Sequence, residues 1–327
     1  MAKITLSQTA QILLQSDRLV LAAHINPDGD AIGSSLGLMH ALRSLGKEVA
    51  VYIDDNIPRI FSVLPGCEEI KRPPDDLSGD KLRPARLVIL DASVDRVNRV
   101  KDMVDAPILN IDHHVSNDGA ADELYLDADR AATAEIVYEL VKEMGVAFDY
   151  NIATCLYTGI ATDSGFFRYA NTKPFTMRAA AELLEYGVKP NMISEAVETK
   201  TFDNVTGMAA ALNTAVLFAD GKAAGIFLDL PLVSTLETTE GFIDMIRIIE
   251  GVDVAVMVKC QEEEFCRVSM RSKNLDVAKI AMKFGGGGHI RAAGCSLKMS
   301  FVDAKDTIIQ EITAAVAEGA KDASREV

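Results

Sequence analysis

Three short apolar runs, RLVLAAH (18–24), RLVILD (86–91) and PILNID (107–112), each end on an ionisable residue: His24, Asp91 and Asp112. Runs of this length, rich in Leu, Val and Ile, read as buried strands rather than helices. A fourth run, EVAVYI (48–53), is of the same kind, and AIGSSLGLMHALRSLG (31–46) between them is helical in pattern. Strands alternating with helices predict an α/β domain built on a mainly parallel sheet with flanking helices. In such open sheets ligands gather beyond the carboxyl ends of the strands, so His24, Asp91 and Asp112 are expected along the edge of one site.

The helical pattern continues from 131 to about 200, through AATAEIVYELVKEMG and FTMRAAAELLEYG, and Gly187 with Pro190 reads as a helix stop. After a further helix near 203–217 come AAGIFLDL, VDVAVMVKC, FCRVSMRS and GGGGHIRAAG, the pattern of a smaller mixed α/β domain. EEE at 262–264 reads as a hairpin turn. Domains run about 100–200 residues, so the expected organisation of this 327-residue chain is a first domain over 1–188, a linker over 189–202 and a second domain over 203–327.

The formal net charge of −15 argues against binding long nucleic acid, which rests on neutralising many phosphates with Lys and Arg. Basic residues are concentrated in one place: Arg267, Arg271, Lys273, Lys279, Lys283, Arg291 and Lys298 share their stretch with a single acid, Asp276. The opening MAKITLSQTAQILLQSDR lacks the order of a signal peptide, and no run of about 18 apolar residues is present. A soluble cytoplasmic protein with no membrane partner is expected. The five cysteines, Cys67, Cys155, Cys260, Cys266 and Cys295, form no CxxC pair and read as buried reduced thiols.

Of five histidines, three stand beside aspartates: His24 in HINPDGD, and His113 and His114 in DHH. Each motif alone has a plain structural reading. HINPDGD is rich in turn residues, DHH suits a helix cap with exposed imidazoles, and TDSG (162–165) is a turn more often than a ligand. Together His24, Asp28, Asp30, Asp91, His113 and Asp163 favour a dinuclear centre. Imidazole mixed with carboxylate suits divalent first-row ions such as Mn²⁺ better than structural Zn²⁺, which prefers thiolates. Two such ions, about 3.5–4 Å apart, activate a shared water and hold an attacked phosphorus in line with its leaving group.

HINPDGDAIGS, LDAS (90–93), IDHH (111–114), ATDSGFFRYANT (161–172) and GGGGHIRAAG (285–294) occur in an order and at spacings that resemble the DHH phosphoesterase superfamily with its DHHA1 C-terminal domain. The likeness extends over nearly the whole chain and is greatest to the bacterial nano-RNase and pAp phosphatase branch. It implies that His24 and Asp28 hold one ion, that Asp30, His113 and Asp163 hold the other, and that Asp91 bridges them. Asp112 would orient the histidine pair, and His114 would face the substrate and assist the leaving group. The implied cofactor is two Mn²⁺ ions, with Mg²⁺ or Co²⁺ as alternatives.

In the second domain the resemblance sets Gly286, Gly287 and Gly288 against the substrate, with Arg271 and His289 on a terminal phosphate. Ser269, Lys273 and Arg291 are lesser candidates, and a flexible hinge is the other reading of the glycine run. Arg168 and Tyr169 either face the site or pack. The active site is expected in the cleft between the domains, and pairing of two copies is a family-level expectation. The implied reaction is hydrolysis of short oligonucleotides to mononucleotides, of 3′-phosphoadenosine 5′-phosphate to AMP, or both. Alternatives are a cyclic or linear dinucleotide phosphodiesterase and a pyrophosphatase or exopolyphosphatase. His24 stands where the long exonuclease branch generally has Asp, which argues against processive action. A catalytically silent binder would usually have lost a ligand, and every candidate ligand is present.

Overall fold

The computed structural model describes residues 2–77, 79–117, 119–236, 238–239 and 241–323. The chain forms two compact units, Met1–Thr199 and Lys200–Val327.

The first unit carries strands β1 (Ala2–Lys3), β2 (Arg18–Ala22), β3 (Glu48–Tyr52), β4 (Arg86–Leu90), β5 (Ile108–Asp112) and β6 (Glu123–Leu126). They form one sheet in the order β1-β6-β5-β4-β2-β3, parallel throughout. Central strands β2, β4 and β5 are buried at all but their first residue, as expected of a parallel sheet covered on both faces. The sequence reading does not anticipate β1, at the sheet edge, or β6 beside it, because both are short and lack a continuous apolar run. The helices are α1 (Leu6–Gln15), α2 (Gly29–Ser44), α3 (Val100–Met103), α4 (Thr133–Glu143), α5 (Tyr150–Asp163), α6 (Pro174–Leu184) and α7 (Pro190–Glu198).

A glycine stripe on α2 sets the geometry near the sheet's carboxyl edge. Gly29, Gly33 and Gly37 recur every four residues and so share one helix face. A Cβ on Gly33 would lie 2.4 Å from the Cys155 carbonyl oxygen of α5, and one on Gly29 would lie 2.3 Å from Thr162 Oγ1. The backbones of α2 and α5 therefore approach more closely than side-chain-bearing faces allow. On α5, a Cβ at Gly159 would lie 2.9 Å from Asp30 Oδ1. The start of α2, which carries Asp30, is thereby pressed against the last turn of α5, which carries Asp163.

Residues 189–202, expected as a linker, contain α7, and the boundary between units falls at Thr199 and Lys200. Pro190 occupies the first turn of α7. There the missing N–H costs nothing and the fixed φ favours a helix start, so this proline opens a helix. Ile193 is buried against the first unit's core.

The second unit contains α8 (Phe202–Leu212), β7 (Val216–Phe218), β8 (Ala223–Leu228), α9 (Leu230–Val233), α10 (Phe242–Arg247), β9 (Val254–Glu262), β10 (Phe265–Ser272), α11 (Val277–Lys283), β11 (Gly287–His289), β12 (Ala292–Leu297) and α12 (Phe301–Ala323). The sheet order is β11-β12-β10-β9-β8-β7, with β8 and β9 parallel and the other neighbours antiparallel. Alternating residues of β9 serve two cores. Val254, Val256 and Val258 pack with Val277 and Ile280 of α11 and Ile308 of α12. Ala255 and Met257 pack with Ala211 of α8 and Phe242 and Ile246 of α10.

Two expectations need correction here. Gly287–His289 of the glycine cluster form strand β11, so the flexible-hinge reading of that run does not hold there. Gly286 and Gly288 are required by β12 itself, since their Cβ atoms would lie 2.2 Å from the Gly294 carbonyl oxygen and 2.5 Å from that of Ala292. Cys260 and Cys266 are joined as a disulfide, because the β9–β10 hairpin places them directly opposite each other, while Cys67, Cys155 and Cys295 are free and buried. Among the described residues no helix is long and apolar enough to cross a membrane.

Candidate metal centre

Beyond β2 the chain turns through Asn26, whose φ of 54° lies in the left-handed region that Asn tolerates. His24 Nδ1 lies 2.8 Å from the Ile25 carbonyl oxygen. With the proton on Nδ1, the lone pair of Nε2 faces Asp28 Oδ2 at 3.7 Å and Asp91 Oδ2 at 3.5 Å. Asp28 caps α2: its Oδ1 accepts from the N–H groups of Asp30 and Ala31, both at 3.0 Å. One carboxylate oxygen thus closes the helix and the other points to His24, so capping α2 leaves the second oxygen facing the site.

Asp91 follows β4 with φ 58°, a conformation that Asp and Asn adopt more readily than other side chains. Its two oxygens face different histidines, Oδ2 toward His24 Nε2 at 3.5 Å and Oδ1 toward His113 Nε2 at 3.5 Å. His113 Nε2 also faces Asp163 Oδ2 at 3.4 Å and Asp30 Oδ2 at 4.0 Å, while its Nδ1 lies 3.2 Å from the Arg130 carbonyl oxygen. That Nε2 is buried and has no hydrogen-bond partner among the described residues. Buried polar atoms are rarely left so, and an imidazole nitrogen aimed among three carboxylates fits a cation that they share.

Ligand-capable atoms within 4.8 Å of one another form the sets His24–Asp28–Asp91, Asp30–His113–Asp163 and Asp91–His113–His114. Burial raises the Asp30 carboxyl well above its ordinary range, and repulsion from Asp91 and Asp163 adds to it. Asp163 is pushed up to about 7, again by burial first, with repulsion from Asp91 and Asp28 adding to the rise and His113 opposing it. So many carboxylates in a small buried volume carry negative charge that divalent ions would neutralise. The candidate donors are imidazole and carboxylate without thiolate, which suits hard or borderline divalent ions.

Asp112, the last residue of β5, lies behind the histidines. Its Oδ1 accepts from the His113 N–H at 2.7 Å, the His114 N–H at 3.1 Å and the His114 ring Nδ1 at 2.8 Å. Its Oδ2 accepts from Asn117 Nδ2 at 2.6 Å. Burial pushes the Asp112 carboxyl up, but the bonds from His114 and Asn117 outweigh it and hold the carboxyl below its usual value. The hydrogen bond to Asp112 raises His114 to about 9. His114 is partly exposed, with Nδ1 engaged by Asp112 and Nε2 on the opposite side of the ring.

The sequence reading missed two residues that contact these candidate ligands. Thr133, at the start of α4, donates its N–H to Asp30 and its hydroxyl to Asp91. Asn171 Nδ2 donates to the Asp163 carbonyl oxygen at 3.1 Å. A signal for Thr133 existed: AATAEIV starts a helix with Ala at the N-cap, so its first N–H groups must find an acceptor elsewhere. Arg168 Nε donates to the Gly165 carbonyl oxygen at 2.7 Å, and the Tyr169 ring packs over Gly165.

In the second unit the register places Arg271 of β10 opposite Ala292 of β12, and Ala292 opposite His289 of β11. One step along, Ser269, Gly294 and Gly287 form a second row. Facing residues share a sheet face, so Arg271, His289 and Ser269 border a floor of Ala292, Gly294 and Gly287. A Cβ on Gly287 would meet nothing within 4 Å. Lys273 and Arg291 are exposed, with Arg291 Nη1 donating to the Leu275 carbonyl oxygen at 3.1 Å.

The chain matches the DHH family, N-terminal domain, over residues 18–160 and the DHHA1 domain over residues 234–318. It is 40% identical over 283 residues to the bifunctional oligoribonuclease and PAP phosphatase NrnA of Thermus thermophilus, covering 86% of this chain and 84% of that one. To the protein of the same name from Bacillus subtilis it is 28% identical over 290 residues, covering 86% and 90%. The fold is similar to the crystal structure of an exopolyphosphatase-related protein from Bacteroides fragilis, with a TM-score of 0.85 at 24% identity, covering 95% of this chain and 97% of that one.

Proposed function

The chain belongs to the DHH phosphoesterase family, and from that premise we propose that it hydrolyses short oligonucleotides to mononucleotides and 3′-phosphoadenosine 5′-phosphate to AMP. The observation that carries the chemistry is the Asp91 carboxylate, which turns one oxygen to each of two histidine-centred donor sets. The substrate class is supported by the two relatives named for those activities and by the confinement of basic residues to one stretch of an acidic chain.

In this reading His24 and Asp28 hold one divalent ion, Asp30, His113 and Asp163 hold a second, and Asp91 is shared. Mn²⁺ is the preferred ion, with Mg²⁺ and Co²⁺ able to use the same donors. When bound, the ions activate water and neutralise charge on the phosphoryl group. The chain's own residues supply the rest. Asp112 engages Nδ1 of His114 and orients the ring, whose Nε2, when it carries a proton, donates to a phosphate oxygen or passes that proton to the departing oxygen. Arg271 and His289 bind a phosphate of the substrate, Ser269 adds a hydroxyl, and Gly287 leaves the floor between them clear of a side chain, with Gly286 and Gly288 flanking it in the chain.

Initial rates with Mn²⁺ on an RNA dinucleotide, a long single strand, 3′-phosphoadenosine 5′-phosphate, cyclic di-AMP and pyrophosphate test the assignment. The dinucleotide and the bisphosphate are expected to be turned over fastest, with rate falling steeply as the strand lengthens. Equal rates on the dinucleotide and the long strand, or preference for pyrophosphate or cyclic di-AMP, would refute the substrate class. Arg271→Ala should raise KM for the dinucleotide about 10- to 100-fold with a smaller effect on kcat, since a charge-assisted bond is worth about 1.5–3 kcal/mol. An unchanged KM would remove Arg271 from the phosphate site.

A further inference from the structure

Helix α4 begins without a cap of its own, because its N-cap is Ala132, which makes no side-chain cap bond. The acceptor for its first N–H groups comes from far along the chain. Asp30 Oδ2 takes the N–H of Thr133 at 2.6 Å across a separation of 103 residues, and Asp30 Oδ1 takes the N–H of Ala134 at 2.8 Å. Thr133 is fully buried, and its hydroxyl donates to Asp91 Oδ1 at 3.0 Å. One residue therefore touches a carboxylate of the His113 set and the carboxylate that stands between the two sets.

The hydroxyl distinguishes the two oxygens of Asp91. The bonded oxygen, Oδ1, is the one facing His113; the other, Oδ2, faces His24. The terminal torsion of an Asp side chain has a broad, shallow preference, so the carboxylate plane needs an external contact to hold it. As neutral rings with the proton on Nδ1, where each faces a backbone carbonyl oxygen, His24 and His113 present lone pairs to Asp91, whereas the Thr133 hydroxyl presents a proton.

We propose that Thr133 is a positioning residue of the metal centre: its hydroxyl fixes the plane of the Asp91 carboxylate so that each oxygen addresses one donor set, while its N–H holds Asp30 beside it. The inference rests on the two-ion reading of the site. Thr133 acts through Asp91 and Asp30 and takes no part in binding substrate.

The full chain, stripped of metal, is titrated with Mn²⁺ by calorimetry, and exchange coupling between the bound ions is read by electron paramagnetic resonance. Thr133→Val keeps the branched shape and the backbone N–H and removes only the hydroxyl; Thr133→Ser keeps the hydroxyl. The parent and Thr133→Ser should bind two ions with similar affinity and show a coupled pair. Thr133→Val should bind one of the two about 10- to 100-fold more weakly, the usual effect of losing a group that orients a ligand, and should lose the coupled signal at stoichiometric Mn²⁺. Thr133→Ala, also without a hydroxyl, replaces Thr133→Val in the comparison if the latter does not fold. Parent-like binding and coupling in the hydroxyl-free variant, or equal impairment of Thr133→Ser, overturns the assignment. A parent chain that binds fewer than two ions refutes the two-ion reading, and the role of Thr133 with it.

Discussion

Asp91→Asn is expected to lower kcat/KM by at least about 10³-fold, the scale of losing a member of a catalytic unit, while leaving the metal-free protein as stable as the parent or more so. Asn has the shape of Asp and tolerates the left-handed backbone at this position, where φ is 58°. Its amide oxygen can still accept the Thr133 hydroxyl. What it removes is a negative charge that, after burial, is the largest influence raising Asp30 and that also raises Asp163. Without metal that charge is a source of repulsion; in the proposed two-ion centre it is the shared ligand. Thermal unfolding in chelator and initial rates in Mn²⁺ separate the two effects. A variant that keeps a tenth of the activity, or that loses activity because it unfolds, contradicts this role for Asp91.

Metal removal should produce a protein whose stability declines as pH rises through the neutral range, and added Mn²⁺ should reverse that slope. The Asp163 carboxyl lies at about 7 in the fold against an ordinary 3.8. The folded state therefore retains a proton that the unfolded chain has released, and stability falls as pH rises across that window. His114 lies at about 9 against an ordinary 6.5, so its contribution is complete below 6.5 and is lost as pH rises through about 9. The two windows adjoin and share a sign. Mn²⁺ needs Asp30 and Asp163 ionised, so its binding releases protons and tightens as pH rises. At a thousandfold excess over Kd it stabilises by about 4 kcal/mol. Melting temperatures at mildly acidic, neutral and mildly alkaline pH, with chelator and with Mn²⁺, test both slopes. A chelated protein most stable at alkaline pH, or no rise in Tm with Mn²⁺, contradicts the electrostatic account.

Much of the fold was legible because buried parallel strands leave a continuous apolar run. β2, β4 and β5 were readable together with the ionisable residues at or just beyond their ends. The edge strand β1 has two residues and its neighbour β6 four, only partly buried, so neither leaves such a mark. Gly187 and Pro190 do follow the end of α6 at Leu184, but Pro190 also opens α7, because proline suits the first turn of a helix, and so the stretch expected as a linker is helical, with Ile193 buried against the first core. The glycine cluster was legible as a place of close approach, but two of its members are explained by the backbone of β12 rather than by a ligand. The cysteine count carried no sign of the Cys260–Cys266 pair, which follows from strand register.

Residue type and order along the chain determined the donor chemistry: imidazoles and carboxylates at strand ends, without thiolates, ahead of a second unit that holds the basic stretch. That much is local, because a side chain's chemistry and a strand's apolar run are properties of a few neighbouring residues. Tertiary structure alone decided which oxygen of Asp91 faces which histidine, that Asp28 divides its oxygens between a helix cap and the site, and that Thr133 joins Asp30 to Asp91. These relations depend on the close packing of α2 on α5 and on a hydrogen bond spanning 103 residues. Such convergence arises only when distant segments pack, and the spacing of residues along the chain does not encode it.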